Sequence, residues 1–268
     1  MSTSRATMKV NSGVPMPLVP QSVGLDTNRT PFSWQEFAEA ASNELRSPLA
    51  LIHGYIETLQ EAVFKKTNSL QRCLEVMDKH SRRMMRILDD IQTLARLDSQ
   101  TGLERRVELF HAHRSFEDAL EHLSPLIDLL HPTIHTSFPP QDLVTGDRRL
   151  WDMVLVHLLE TALARNPSGN LSLEVTCSIE AENITVIIAD NGIGFPAEDV
   201  LVLFKPFHHP QNDAVDQLKG SGLGLAIVER SVAALGGTIS VSSRPGCRTE
   251  FVVKLPKMAI STTAHLGE

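Results

Sequence analysis

The chain has 268 residues, 42% hydrophobic and 21% charged, ordinary globular usage that permits a packed core and excludes global disorder. Lys and Arg number 25 against 32 Asp and Glu, a formal net charge of −7 that argues against sequence-independent nucleic-acid binding, where phosphate contacts need clustered cations. The three cysteines, Cys73, Cys177 and Cys247, lie far apart with no C-x-x-C spacing, which excludes a local zinc knuckle and a disulfide scaffold; no run approaches about 18 apolar residues, so neither a membrane span nor a secretory signal is expected and the chain reads as cytoplasmic.

Residues 1–31, with Pro15, Pro17, Pro20 and Pro31 and no apolar period, read as a flexible lead-in too short for a sensor domain. Ser33 followed by Glu36 has capping-box spacing and opens a helix. Apolar residues then recur at Leu45, Leu49, Ile52, Ile56, Leu59 and Val63, and again at Leu70, Leu74, Met77, Met84, Leu88, Ile91 and Ala95. Steps of three and four average about 3.5 residues, the period of a supercoiling seam. The polar link 65–68 joins the two runs as an antiparallel α-helical hairpin over residues 32–100. Two helices cannot bury both seams alone, so the pattern predicts a homodimer closing a four-helix bundle.

Residues 104–257 change period. A strand at Val107–Phe110 precedes one helix carrying Phe116, Leu120, Leu123, Ile127 and Leu130, which ends near Pro132; a strand at Thr133–Phe138 and a helix over 147–165 follow. Leu171–Ile179 and Ile184–Ala189 alternate as strands, and a helix near Leu223–Leu235 leads to strands Thr238–Ser243 and Arg248–Leu255. This predicts an α/β sandwich, a mixed sheet covered by helices on one face. The tail 258–268 reads as flexible.

Two glycine clusters carry chemistry. Asp190, Gly192 and Gly194 directly follow a strand, and Gly220, Gly222 and Gly224 open a helix. Glycine lets backbone approach a phosphate, a helix start offers unpaired N–H groups, and a carboxylate at a strand end can accept from an adenine amino group. Two ligand-free glycine turns are the plain alternative. The second cluster lacks the preceding strand of a dinucleotide fingerprint and instead follows a polar stretch from His208 to Lys219 that reads as a mobile lid.

The blocks 43–49 (Asn-Glu-Leu-Arg-Ser-Pro-Leu), 190–195, 203–207 (Leu-Phe-Lys-Pro-Phe) and 220–225, in this order and with the helical hairpin, resemble the transmitter core of bacterial sensor histidine kinases over about residues 33–256. The resemblance implies a dimerisation and phosphotransfer hairpin joined to a Bergerat-type ATPase domain, ATP or ADP as cofactor, and a response-regulator receiver domain or a partner histidine kinase as partner. It also implies roles by position. Asn43 stands where the family has its phosphate-accepting histidine; its amide nitrogen, with the lone pair delocalised, is no nucleophile. His157 and Thr161 stand where the family has Mg²⁺-holding asparagines, and Ala164 where it has a basic residue. A histidine nitrogen suits Mg²⁺ poorly. Asp190, Gly192, Gly194, Gly220, Gly222 and Gly224 match the nucleotide-binding elements, and Glu44 and Ser47 match the acid and hydroxyl linked to dephosphorylating a partner, chemistry that needs a positioned water.

Other residues have simpler readings. His53 lies about 80° around the helix from Asn43. His111, His113, His208 and His209 read as isolated surface histidines, Met77, Met84 and Met85 as bundle core, and Arg82, Arg83 and Arg86 as a solvated face. The expectation is a two-component pseudokinase. Its rivals are an active kinase, or a phosphatase using Glu44 and Ser47, and a dimeric scaffold that binds no nucleotide.

Overall fold

A computed structural model describes residues 23–24, 33–61, 67–99, 106–165, 170–210 and 220–257. Residues 62–66, with Lys65 and Lys66 of the expected link, most of the lead-in, the 211–219 part of the expected lid, and the tail from 258 lie outside the described residues, while Thr67 and Asn68 of that link are helical.

Two long helices form the hairpin, α1 (Trp34–Glu61) and α2 (Thr67–Asp98). Ser33 Oγ accepts from the Glu36 N–H at 3.2 Å, the cap that the spacing predicts. None of the described residues of the expected seams is fully buried within the chain, and the buried positions are others. Phe37, Pro48, Cys73, Ile87 and Leu94 are buried within the chain, whereas Leu49, Ile56, Leu70, Leu74, Met85 and Leu88 stay exposed, Met85 against its expected core position. A wide apolar stripe served by one neighbouring helix leaves its far edge uncovered.

The second region opens with β2 (Val107–His111), numbered after the two-residue β1 (Val23–Gly24). The one helix expected next is two, α3 (Ala112–His122) and α4 (Ser124–Leu130). Pro125 has no N–H to continue the ladder and sits in the first turn of α4, where none is needed. β3 (Thr133–Ser137) is followed by β4 (Leu143–Asp147), a strand the sequence reading missed because Gly146 and its five-residue length hide any alternation. Asp147 then caps α5 (Arg148–Ala164), accepting from Arg149 N at 3.1 Å. β5 (Ser172–Ile179), β6 (Asn183–Asp190), the short α6 (Ala197–Val200), α7 (Gly224–Ala234), β7 (Thr238–Arg244) and β8 (Arg248–Pro256) complete the chain.

Six strands form a mixed sheet in the order β1-β7-β8-β6-β5-β3, antiparallel except for β3 with β5; β2 and β4 pair separately. Alternate residues Leu173, Val175, Cys177, Ile184, Val186, Ile188, Phe251, Val253 and Leu255 point to one face and are buried under α3, α5 and α7, as the period-two pattern requires. Burial pushes the Cys177 thiol up to about 11, so it is an inert core group. Within the lead-in, Val23 and Gly24 pair with Val241 and Ser240, adding a strand to the otherwise unpaired edge of β7.

A second apolar cluster joins the two regions. Phe37 of α1 and Leu94 of α2 pack with Leu223, Ala226 and Ile227 at the start of α7, and the Phe37 and Phe207 rings lie 5.2 Å apart. Arg230 Nε donates to Asp98 Oδ1 at 2.9 Å beside it. These contacts set the glycine loop directly against the hairpin.

Candidate functional site

Asp190 ends β6, opposite the buried Thr249 of β8. Gly192 N donates to its Oδ1 at 2.8 Å. Burial pushes the Asp190 carboxyl up to about 6, outweighing the Gly192 bond and the Arg165 and Arg248 charges that oppose the rise. The glycines here are required by space. A methyl group on Gly192 would lie 2.6 Å from Asp190 Oδ1 and 2.7 Å from the Arg165 carbonyl; on Gly194, whose φ is +63°, it would lie 2.3 Å from the Arg244 carbonyl. Arg165 braces this turn: its Nη2 donates to Gly194 O at 2.6 Å and its guanidinium carbon stands 3.8 Å from the Phe195 ring centroid.

The second cluster forms the entry to α7. Gly222 has φ +75° and its carbonyl accepts from Phe207 N at 2.8 Å. Gly224 abuts α5, where a methyl group would meet His157 Nδ1 at 3.0 Å. A methyl group on Gly220 would meet no atom of the described residues within 4 Å. Ser221 Oγ donates to Asp90 of α2 and accepts from Leu223 N, tying the loop to the hairpin.

On α5, the Thr161 hydroxyl donates to the His157 carbonyl at 2.7 Å, and His157 Nδ1 lies 3.9 Å from Glu160, which Arg86 of α2 approaches at 3.7 Å. By the resemblance Mg²⁺ would sit at this helix, and His157 and Thr161 are a poor fit for it. Mg²⁺ wants near-octahedral oxygen ligands, whereas this face offers an imidazole against a glycine and a hydroxyl turned to its own helix. Among the described residues no group of three or more His, Cys, Asp or Glu converges.

On α1, Asn43 is exposed and accepts from Arg46 Nη1 at 3.0 Å, and Ser47 is exposed. Glu44 is instead clamped. Arg83 Nη2 is 3.2 Å from its Oε2, and His209 Nε2 is 3.4 Å from its Oε1. The His209 imidazole, with Arg83, holds the Glu44 carboxyl below its usual range against the opposing effect of partial burial.

Two sequence expectations are corrected here. Arg83 is half-buried and paired with Glu44, whereas Arg82 and Arg86 stay exposed as expected, Arg86 3.7 Å from Glu160; and the histidines are not isolated: His111 meets Asp142 at 2.7 Å, His208 meets Asp199 at 3.3 Å and His209 meets Glu44. These partners lie 9 to 165 residues away in sequence, by subtraction of the residue numbers, so no local spacing could reveal them. His53 pairs within its own helix with Glu57 at 3.2 Å.

The His Kinase A (phospho-acceptor) domain matches residues 33–100, and the Histidine kinase-, DNA gyrase B-, and HSP90-like ATPase family matches 146–259. The chain is 30% identical over 230 residues to the sensor histidine kinase WalK of Bacillus subtilis, 83% of this chain and 36% of that protein. It is 29% identical over 226 residues to the sensor histidine kinase TmoS of Ectopseudomonas mendocina, 82% and 23% respectively. It therefore spans about a quarter to a third of the length of these curated relatives. Among solved structures, the Acinetobacter baumannii histidine kinase AdeS superposes with TM-score 0.64 at 26% identity, covering 81% of this chain and 98% of that one. ThkA, solved in complex with its response regulator TrrA, shares the fold with TM-score 0.67 at 18% identity over 83% and 61%.

Proposed function

Because the chain belongs to the sensor histidine kinase family and carries its transmitter core, the phospho-acceptor hairpin followed by the ATPase domain, we propose that it is a nucleotide-binding pseudokinase of two-component signalling. It would bind ATP or ADP and act by docking a response-regulator receiver domain or a partner kinase, without phosphorylating itself. The observation that carries this reading is the buried Asp190 held by Gly192 in a tight glycine turn, in the same chain as a hairpin with Asn43 where the resemblance has its acceptor.

Asp190 would accept from the adenine amino group, and Gly192 and Gly194 would let the turn that holds Asp190 close against the Arg165 and Arg244 carbonyls, where no Cβ fits. The backbone at the start of α7 would face the phosphates. ATP would supply a transferable γ-phosphoryl group, but Asn43 offers no lone pair to receive it. The exposed line Leu49, Ile56, Leu70, Leu74 and Leu88 supports a second hairpin as its cover, hence the homodimer. No helix among the described residues is long and apolar enough to cross a membrane.

Incubation with γ-labelled ATP tests the reading. The expected result is no acid-labile label on the protein, and none on Asn43→His, since His157, Thr161 and Ala164 remain. Labelling of the unaltered protein overturns the pseudokinase reading, and strong labelling of Asn43→His alone shows that the α5 substitutions are tolerated.

A further inference from the structure

Two imidazoles that sit far apart in sequence flank the glycine loop. His157 Nδ1 would be 3.0 Å from a methyl group on Gly224, and His209 Nε2 2.8 Å from one on Gly222, so each ring touches one of the two glycines that open α7. Both rings are largely buried, with side chains 15% and 25% exposed. The backbone two residues before His209 is tied to the same loop, through Phe207 N to Gly222 O.

We propose that His157 and His209 are the polyphosphate-contacting groups of this site, donating ring N–H bonds to phosphate oxygens where relatives use a divalent cation, so that a nucleoside di- or triphosphate binds without metal. The proposal rests on the nucleotide-binding reading above. A neutral imidazole carries one N–H donor and a protonated one carries two plus a charge, so the same residue that serves Mg²⁺ badly serves an anion well. The carboxylates bordering the site are already countered by arginines of α2, Glu44 by Arg83 and Glu160 by Arg86.

One of these contacts must be exchanged. His209 Nε2 now faces Glu44 Oε1 at 3.4 Å, and a single ring nitrogen cannot serve that carboxylate and a phosphate together. Bound polyphosphate thus draws His209 from Glu44 and leaves that carboxylate to Arg83 alone. The coupling is reciprocal: weakening the Glu44 contact must tighten polyphosphate binding.

Calorimetric titration of the full chain with ATP and with ADP, first in EDTA and then with excess Mg²⁺, tests this. The expected Kd changes by less than about threefold on adding Mg²⁺. Charge-assisted hydrogen bonds to phosphate are worth roughly tenfold in affinity each, so His157→Ala and His209→Ala should each weaken binding by about that factor, whereas Glu44→Gln should tighten it several-fold. His157→Asn paired with Thr161→Asn restores oxygen ligands and should make binding Mg²⁺-stimulated, a gain that a misfolded variant cannot show. Binding that collapses in EDTA, or that is unaffected by either His→Ala change, overturns the proposal while leaving nucleotide binding standing. No binding to the unaltered protein under either condition overturns both.

Discussion

Replacing Asp190 with Asn should stabilise the protein at pH 8 while weakening nucleotide binding. Asp190 is buried, and its carboxyl is pushed up from an ordinary 3.8 to about 6. A carboxyl whose folded value is raised favours the folded state while it is protonated. That contribution is fully present below the unfolded value and is lost as pH rises through the folded one. At about 1.4 kcal/mol per pKa unit the rise corresponds to roughly 3 kcal/mol lost between about pH 4 and pH 7. Asn keeps the oxygen that accepts from Gly192 N and never ionises, so the variant should escape the loss. Thermal melts at pH 4.5 and pH 8 read this directly. Asp190→Asn should melt only about 2–4 °C above the unaltered protein at the lower pH, where about a third of the contribution is already lost, and roughly 6–12 °C higher at the upper, using about 2–4 °C per kcal/mol for a protein of this size. The same variant should bind ATP at least about tenfold more weakly, because an amide cannot replace a carboxylate acceptor without losing one bond or the other. Equal melting temperatures for the two proteins at pH 8 would refute the reasoning.

Two further outcomes follow from the packing. Gly194→Ala puts a methyl group 2.3 Å from the Arg244 carbonyl at a φ of +63°, and should cost at least about 2 kcal/mol in urea unfolding; an unchanged midpoint would mean the turn can rebuild. Phe37→Ala removes the ring that meets Phe207 and fills the cluster with Leu94, Leu223 and Ile227. It should cost about 3–5 kcal/mol of interdomain packing and expand the particle in small-angle scattering, and identical scattering curves would show that polar contacts suffice to hold the two regions together.

Much of this protein was written in local pattern. The cap at Ser33, the hairpin with its 3.5-residue period, the alternating strands β5 to β8, and the two glycine clusters follow from residues within a few positions of one another, and local chemistry fixes them wherever the chain lies. Local pattern failed where it was short or conflicted, at the five-residue β4 with Gly146 inside it and at the break between α3 and α4 before Pro125. The partners of charge were decided only in three dimensions. Glu44 meets Arg83 across 39 residues and His209 across 165, by subtraction of residue numbers, and Ser221 meets Asp90 across 131. Such pairings depend on how the α7 end of the sheet domain docks on the hairpin through Phe37, Leu94 and Leu223, a surface match that no spacing along one chain can encode. For that reason His209 reads in the sequence as a surface histidine, and in the folded protein it stands between the glycine loop and the helix that carries Asn43.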